Sequence, residues 1–157
     1  MRVNLGYSSP ANRTYRIRGA TLEDAFNALV AHGWWGRYRS NWSWRARGRG
    51  TITQISIKAK PVITMPIWAE KRRATRAEIK EWDRMHAVLL RHEQNHHTIF
   101  DDAARALKTE LENGGDLEER EVSTRMERFT NETQKAQNRY DSRTRHGQSE
   151  GVNLTIP

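Results

Sequence analysis

The sequence predicts a single α+β domain over residues 1–157: a small antiparallel sheet with one short helix, packed on a long helix and on a second helix antiparallel to it. Three observations carry this reading. Up to residue 74, short runs alternate apolar and polar side chains, the period of half-buried strands. From Thr75 the apolar spacing changes to threes and fours, with no Pro or Gly until Gly114. "NGGD" then breaks the pattern before a second helical stretch.

The elements follow in chain order. In "TYRIR", Tyr15 and Ile17 fall on one side of a strand and Arg16 and Arg18 on the other. "TLEDAFNALVAHG" reads as a short helix, with Thr21 as N-cap, Asp24 three residues on, and Gly33 as its stop. "WSWRA" alternates through Trp42, Trp44 and Ala46, and "ITQISIKAK" through Ile55, Ile57 and Ala59. Pro61, which lacks a backbone N–H, is expected to end that run or to mark an edge. Thr75 and Glu78 form a capping box at the head of the long helix. The second helix is expected from about Leu117 to about Tyr140, followed by a polar, irregular tail.

Composition narrows the chemistry. There is no Cys, so any metal must be held by His, Asp or Glu. No apolar run approaches the length of a membrane span, and the start "MRVNLGYSSP" lacks the apolar segment of a signal peptide. The net charge of +8 is unevenly spread: residues 1–74 carry 14 Lys and Arg against 3 Asp and Glu, whereas residues 75–157 carry 13 against 16. A basic, β-rich front part (1–74) joined to a mildly acidic helical part (75–157) suggests two tasks in one domain.

The long helix holds the motif with the most chemistry. Trp82, Met85, Leu89, His92, His96, Ile99, Ala103, Leu107 and Leu111 are spaced by three or four, so they share a face. His92 and His96 therefore stand where core residues belong, and buried polar rings need partners. One helical turn apart, they can aim two imidazole nitrogens at one point, an arrangement that suits Zn²⁺. Glu93, completing HExxH, flanks the same face as a proton acceptor for activated water. The plainer reading is two buried histidines bonded to neighbours. His86 and His97 lie at the edge of the stripe or off it and read as solvated, and His32 reads as a helix-end residue.

A third ligand has few sources. His146 is the only His downstream of the long helix. His92 lies about 20 residues before the break, or roughly 30 Å of helix, and a second helix of similar length returns to its level if it packs antiparallel. His146 is then expected as third ligand a few loop residues from the metal. Asp141 is expected either to orient an imidazole or to be the ligand itself. Tyr140 and Arg143 are candidates for stabilising an oxyanion.

"HEQNH" on a long helix followed by "YDSRTRHGQSEG" resembles a bacterial family of predicted secreted zinc-dependent proteases, catalogued as a domain of unknown function. "YRIRGATLEDAFNAL", the Trp-bearing strand pair around "WSWRA" and "ITMPIW" are similar to it as well, so the resemblance spans most of the chain. It implies a zincin-like peptidase with one Zn²⁺ per chain, His92 and His96 as ligands and Glu93 as base. It also implies that the Tyr140–Asp141–Thr144–His146 segment completes the site, and an exported protein.

The front part carries a second signal. "WWGRYRSNWSWRARGRG" interleaves Trp and Tyr with Arg37, Arg39, Arg45, Arg47 and Arg49. Stacking aromatics beside cations are what a single-strand nucleic-acid groove uses. Strict alternation argues otherwise, because it puts Trp and Arg on opposite faces, leaving the Arg face for an anionic partner or an acidic substrate. The expectation is a zinc metallopeptidase acting on peptides or proteins. The alternative is a binding module for nucleic acid or another anionic polymer, with a structural or vestigial metal.

Overall fold

The computed structural model describes residues 1–156. The elements run β1 (Arg2–Gly6), β2 (Ala11–Ile17), α1 (Leu22–His32), β3 (Arg37–Arg49), β4 (Thr51–Trp68), α2 (Arg76–Asn113), β5 (Leu117–Glu118) and α3 (Glu119–Thr144), with 3-10 turns at Lys71–Arg73 and Gln148–Glu150.

β4 is the spine of the sheet, and every other strand pairs with it. β3 joins it in an antiparallel hairpin around Gly50, whose φ of 76° suits glycine. On the other edge β1 and β2 lie end to end, and both run parallel to β4: Arg2–Gly6 against Gln54–Lys58, and Ala11–Ile17 against Val62–Trp68. β5 adds a short antiparallel pairing at Thr51 and Ile52. The sheet is therefore mixed, not antiparallel as expected. Alternation reports which face a side chain takes, but not which way the neighbouring strand runs.

Pro61 does not end β4. It sits in the gap between the β1 and β2 pairings, and Pro66 lies beyond the last rung of β3. Each proline thus falls where one neighbouring strand is missing and no N–H is needed.

The helices obey their end signals. Thr21 and Asp24 cap α1 reciprocally, and Gly33 closes it in the left-handed region at φ 90°. Thr75 and Glu78 do the same for α2, and Gly114 is its C-cap. The carboxylate of Glu78 also accepts from the backbone N–H of Leu22 at 2.8 Å, which ties the head of α2 to that of α1. α3 continues to Thr144, a turn beyond the expected end.

All three helices cover one face of the sheet. Two apolar clusters result, one around Ile55, Ile57, Phe100, Leu107, Leu111, Val122 and Met126, the other around Leu22, Leu29, Ile63, Met65, Trp82, Met85 and Leu89. Each large side chain buried there contributes about 1.5–3 kcal/mol. On α2 the buried stripe beyond His96 passes through Phe100 and Ala104, while Ile99 and Ala103 are half-buried. The Phe100 ring decides this, meeting Phe129 at 6.0 Å and Tyr7 at 5.6 Å between centroids. Between the two clusters, α2 presents His92, Glu93 and His96.

Candidate metal centre

His92, Glu93 and His96 are all buried, at 4%, 5% and 8% exposure, in the middle of a helix whose ends are anchored in apolar packing. α3 lies alongside and brings Asp141 to the same level. The Nε2 atoms of His92 and His96 are 3.3 Å apart, and Asp141 Oδ1 lies 3.0 Å from His96 Nε2 and 3.3 Å from His92 Nε2. Ligands on a tetrahedral zinc with bonds of about 2.0–2.1 Å stand about 3.3 Å from one another. The trio has the edge lengths of one face of such a tetrahedron.

Proton bookkeeping supports a cation there. The Nδ1 of His92 faces Glu150 Oε2 at 2.8 Å, and the Nδ1 of His96 faces Gln137 Oε1. Gln137 is oriented by its own amide, which donates to the His96 carbonyl at 2.9 Å. Both Nδ1 partners are acceptors, so both Nδ1 atoms carry the proton and a neutral ring leaves Nε2 as a bare lone pair. Two lone pairs and a carboxylate oxygen aimed at one point repel one another unless a proton or a metal ion joins them. The donor set of two imidazoles and one carboxylate fits zinc, with the outer nitrogens bonded as metal-bound histidines require.

Glu93 stands beside the trio and is not a member of it. Its carboxylate lies against the start of β3, where a Cβ added at Gly36 would come within 2.6 Å of Glu93 Oε1. Burial pushes its pKa up to about 7; a backbone hydrogen bond from Tyr38 opposes this, and the charge of Asp141 adds to it. A cation at the trio acts in the opposite direction to burial.

The remaining predicted residues fall in different places. His146 follows the left-handed C-cap residue Arg145, and both have positive φ. Its side chain is 82% exposed, with Nδ1 3.8 Å from Asp141 Oδ1. The structure brings Asp141, not His146, into the trio, because α3 stays helical past Tyr140 and carries Asp141 onto the face toward α2. Tyr140 is buried, and its ring stacks on His92 at 4.9 Å. Its hydroxyl donates to Glu150 Oε1 at 2.8 Å and accepts from Asn95 at 2.9 Å, so it braces the site from behind. Burial pushes its pKa up to about 12. Arg143 is exposed and lies over the Tyr140 ring at 5.7 Å. The Thr144 hydroxyl is committed to backbone: it donates to the Tyr140 carbonyl at 2.9 Å and accepts from the Gly147 N–H at 3.1 Å. It staples the turn at the end of α3 and does not reach the trio.

Glu150 and Gln137, which orient the two imidazoles, were not singled out in the sequence. Glu150 lies in an aperiodic tail, and its one signal is proximity to the "YDSRTRH" segment. Burial alone would raise its pKa, but hydrogen bonds from His92 and Tyr140 hold it below the usual carboxylate range. The tail is fixed by Arg84, whose guanidinium donates to the carbonyls of Gly151 and Asn153 at 3.0 and 2.8 Å, and by buried Val152.

The trio and Glu93 form the floor of an open cleft of about 1330 Å³, walled by Trp34, Trp35, Tyr38, Trp42 and Phe129. The alternation of β3 places Tyr38, Trp42 and Trp44 half-buried toward the helices and Arg37, Arg39, Arg45 and Arg47 on the exposed face. Arg49 is exposed at the hairpin tip. Aromatics and cations thus occupy opposite sides of the strand. No helix among the described residues is long and apolar enough to cross a membrane.

The family described as "Bacterial protein of unknown function (DUF922)" matches residues 12–147. That span runs from the second residue of β2 past the end of α3 and includes His92, His96, Glu93 and Asp141. No curated protein and no solved structure matches the chain.

Proposed function

The chain belongs to that bacterial family, and we propose that it is a zinc-dependent metallopeptidase of the zincin type. His92, His96 and Asp141 hold one zinc ion per chain, and Glu93 is the general base. The observation that carries this reading is the convergence of two imidazole Nε2 atoms and a carboxylate oxygen, at tetrahedral edge distances, beside a buried glutamate.

Zinc, when bound, supplies a Lewis acid that polarises the scissile carbonyl and lowers the pKa of water toward neutrality. The rest is the work of the chain. Glu93 accepts a proton from the attacking water and returns it to the leaving amine as the C–N bond breaks, so that one water is consumed per peptide bond cleaved. Gly36 leaves room for that carboxylate. Glu150 and Gln137 hold the two imidazoles in the tautomer that binds metal. Tyr140 is a positioning residue, since its hydroxyl is engaged by Glu150 and Asn95. The cleft is larger than a typical small-molecule pocket, which suits a segment of polypeptide.

The test combines metal content with one substitution. The purified protein is expected to hold one zinc per chain and to hydrolyse an unfolded protein substrate until a chelator is added. Glu93→Gln is expected to keep the zinc and lose the hydrolysis. Near-normal turnover in that variant, or turnover unaffected by zinc removal, overturns the assignment. Zinc binding without hydrolysis of any peptide favours the alternative, a binding module with a structural metal.

A further inference from the structure

We propose that the outward face of β3 and β4 is a docking track for double-stranded nucleic acid, held through its phosphates. The face lies on the opposite side of the sheet from the metal centre, and the proposal does not depend on that centre's function.

The strand register carries the argument. Six successive outward-facing rungs join Arg37 to Thr64, Arg39 to Val62, Asn41 to Lys60, Ser43 to Lys58, Arg45 to Ser56 and Arg47 to Gln54. Every rung has one cation and none has two, so no like charges face each other directly across these two strands. All six cations are exposed. None is in an ion pair among the described residues, although Arg37 leans over the Trp34 ring at 5.5 Å. β1 to β4 contain no Asp or Glu at all. A face that carries only one sign of charge without neutralisation is maintained against its own repulsion, which an anionic partner relieves.

The shape of the row selects among anions. Rungs on one face are two residues apart, or about 6.8 Å, so six of them span about 34 Å. One turn of duplex is also about 34 Å, so a straight row of this length meets both backbones where they cross the contact face and does not follow one strand. Through its middle the row is also one cation wide: beside it on the β1–β2 edge stand Asn4, Gly6 and Ala11, all neutral, and Arg2 and Arg13 widen it only at the two end rungs. That suits a linear polyanion better than a lipid surface, which would reward a broad patch. Four of the six are Arg, whose fork matches phosphate oxygens in pairs. Tyr38, Trp42 and Trp44 point away from this face, so no aromatic of β3 can stack there on unpaired bases. A duplex hides its bases and presents phosphates outward, and the contacts available here are of that kind.

The experiment measures binding of the whole protein to a labelled 30-base-pair DNA duplex by fluorescence anisotropy across a salt series, with chelator present throughout. Sequence-independent binding is expected, weakening ~10²- to 10³-fold between 50 and 200 mM salt, as four to six neutralised phosphates dictate. The combined variant Arg39→Glu, Lys60→Glu, Arg45→Glu is expected to bind at least tenfold more weakly while keeping the wild-type melting temperature within a few degrees. A control with the same change in net charge, Lys80→Glu, Arg120→Glu, Arg139→Glu on the exposed helix faces, is expected to lose less than threefold. Absence of duplex binding at 50 mM salt overturns the proposal. So does an equal loss in both triple variants, equal affinity for a single strand of the same length, or preference for phosphatidylserine vesicles over the duplex. If the combined variant unfolds, Arg39→Gln and Arg45→Gln are measured singly, and an unchanged salt slope in both overturns the proposal.

Discussion

Glu150 gives the sharpest test of the proposed metal centre, because it meets the imidazole pair through one atom only. Its Oε2 accepts from His92 Nδ1 at 2.8 Å, and both its oxygens accept from Tyr140. Removing an outer partner of this kind typically costs 10- to 100-fold in metal affinity. Glu150→Gln keeps an acceptor oxygen but loses the charge, so the lower end, about tenfold, is expected. Glu150→Ala leaves Nδ1 without its partner, and about 100-fold is expected. Zinc at 100 times the wild-type Kd stabilises the folded state by about 2.7 kcal/mol, against about 1.4 kcal/mol for the Gln variant and about 0.4 kcal/mol for the Ala variant at the same concentration. At roughly 2–4 °C per kcal/mol for a chain of this size, the zinc-induced rise in Tm of about 5–11 °C falls to about 3–6 °C and then to 2 °C or less. Each Tm is read against the same variant without zinc, which removes the effect of the lost Tyr140 contact on the fold itself. Asp141→Ala in the same assay is expected to abolish the rise, and His146→Ala to leave it within about 2 °C of wild type. If Glu150→Ala behaves like wild type, the Nδ1 contact does not tune the centre. If His146→Ala abolishes the rise while Asp141→Ala keeps it, the ligand assignment is reversed.

Gly36→Ala places a Cβ 2.6 Å from Glu93 Oε1 and 2.9 Å from Leu89 Cδ1. If Glu93 is the base proposed above, the change is expected to displace it and lower kcat on the order of 100-fold while zinc affinity stays within about threefold; unchanged kcat shows that the carboxylate acts from another position. Glu81 is held down to about 2, first by its Arg84 partner and against burial, with the Thr155 N–H helping. A carboxylate whose folded pKa is depressed contributes stability above its unfolded pKa and loses it as pH falls through the folded value. Glu81→Gln should therefore lower Tm above pH 4.5, with the gap to wild type closing toward pH 2; a gap that does not vary with pH in a melting series contradicts the linkage.

What could be seen in the sequence was what repeats or what has a fixed local signature. The reciprocal caps of Thr21 with Asp24 and Thr75 with Glu78 are present as expected, as is the burial of His92 and His96 on one stripe. So is the separation of Trp42 and Trp44 from Arg45 and Arg47. These follow from backbone periods and from side chains that reach their own neighbours. Partner and direction are set by tertiary contacts, and there the sequence was silent or misleading. β1 and β2 align parallel to β4, and Pro61 is tolerated inside a strand because its neighbour on one edge is interrupted. Which of Asp141 and His146 lies beside the two imidazoles turned on one extra helical turn in α3, and Glu150 reaches His92 from a segment without a period.

α2 and α3 form a hairpin whose closed end is the Gly114–Gly115 turn, while His92, His96 and Asp141 face one another well up its open end. Any group that binds all three is a clasp across that opening, comparable to a cross-link joining two distant points of the chain. Glu150 and Gln137 make the clasp two-sided: one imidazole is steadied by the tail beyond α3 and the other by α3 itself. The tail is in turn strapped to α2 by Arg84. Filling the centre would therefore tighten the joint between both helices and the end of the chain, and emptying it would loosen all three together.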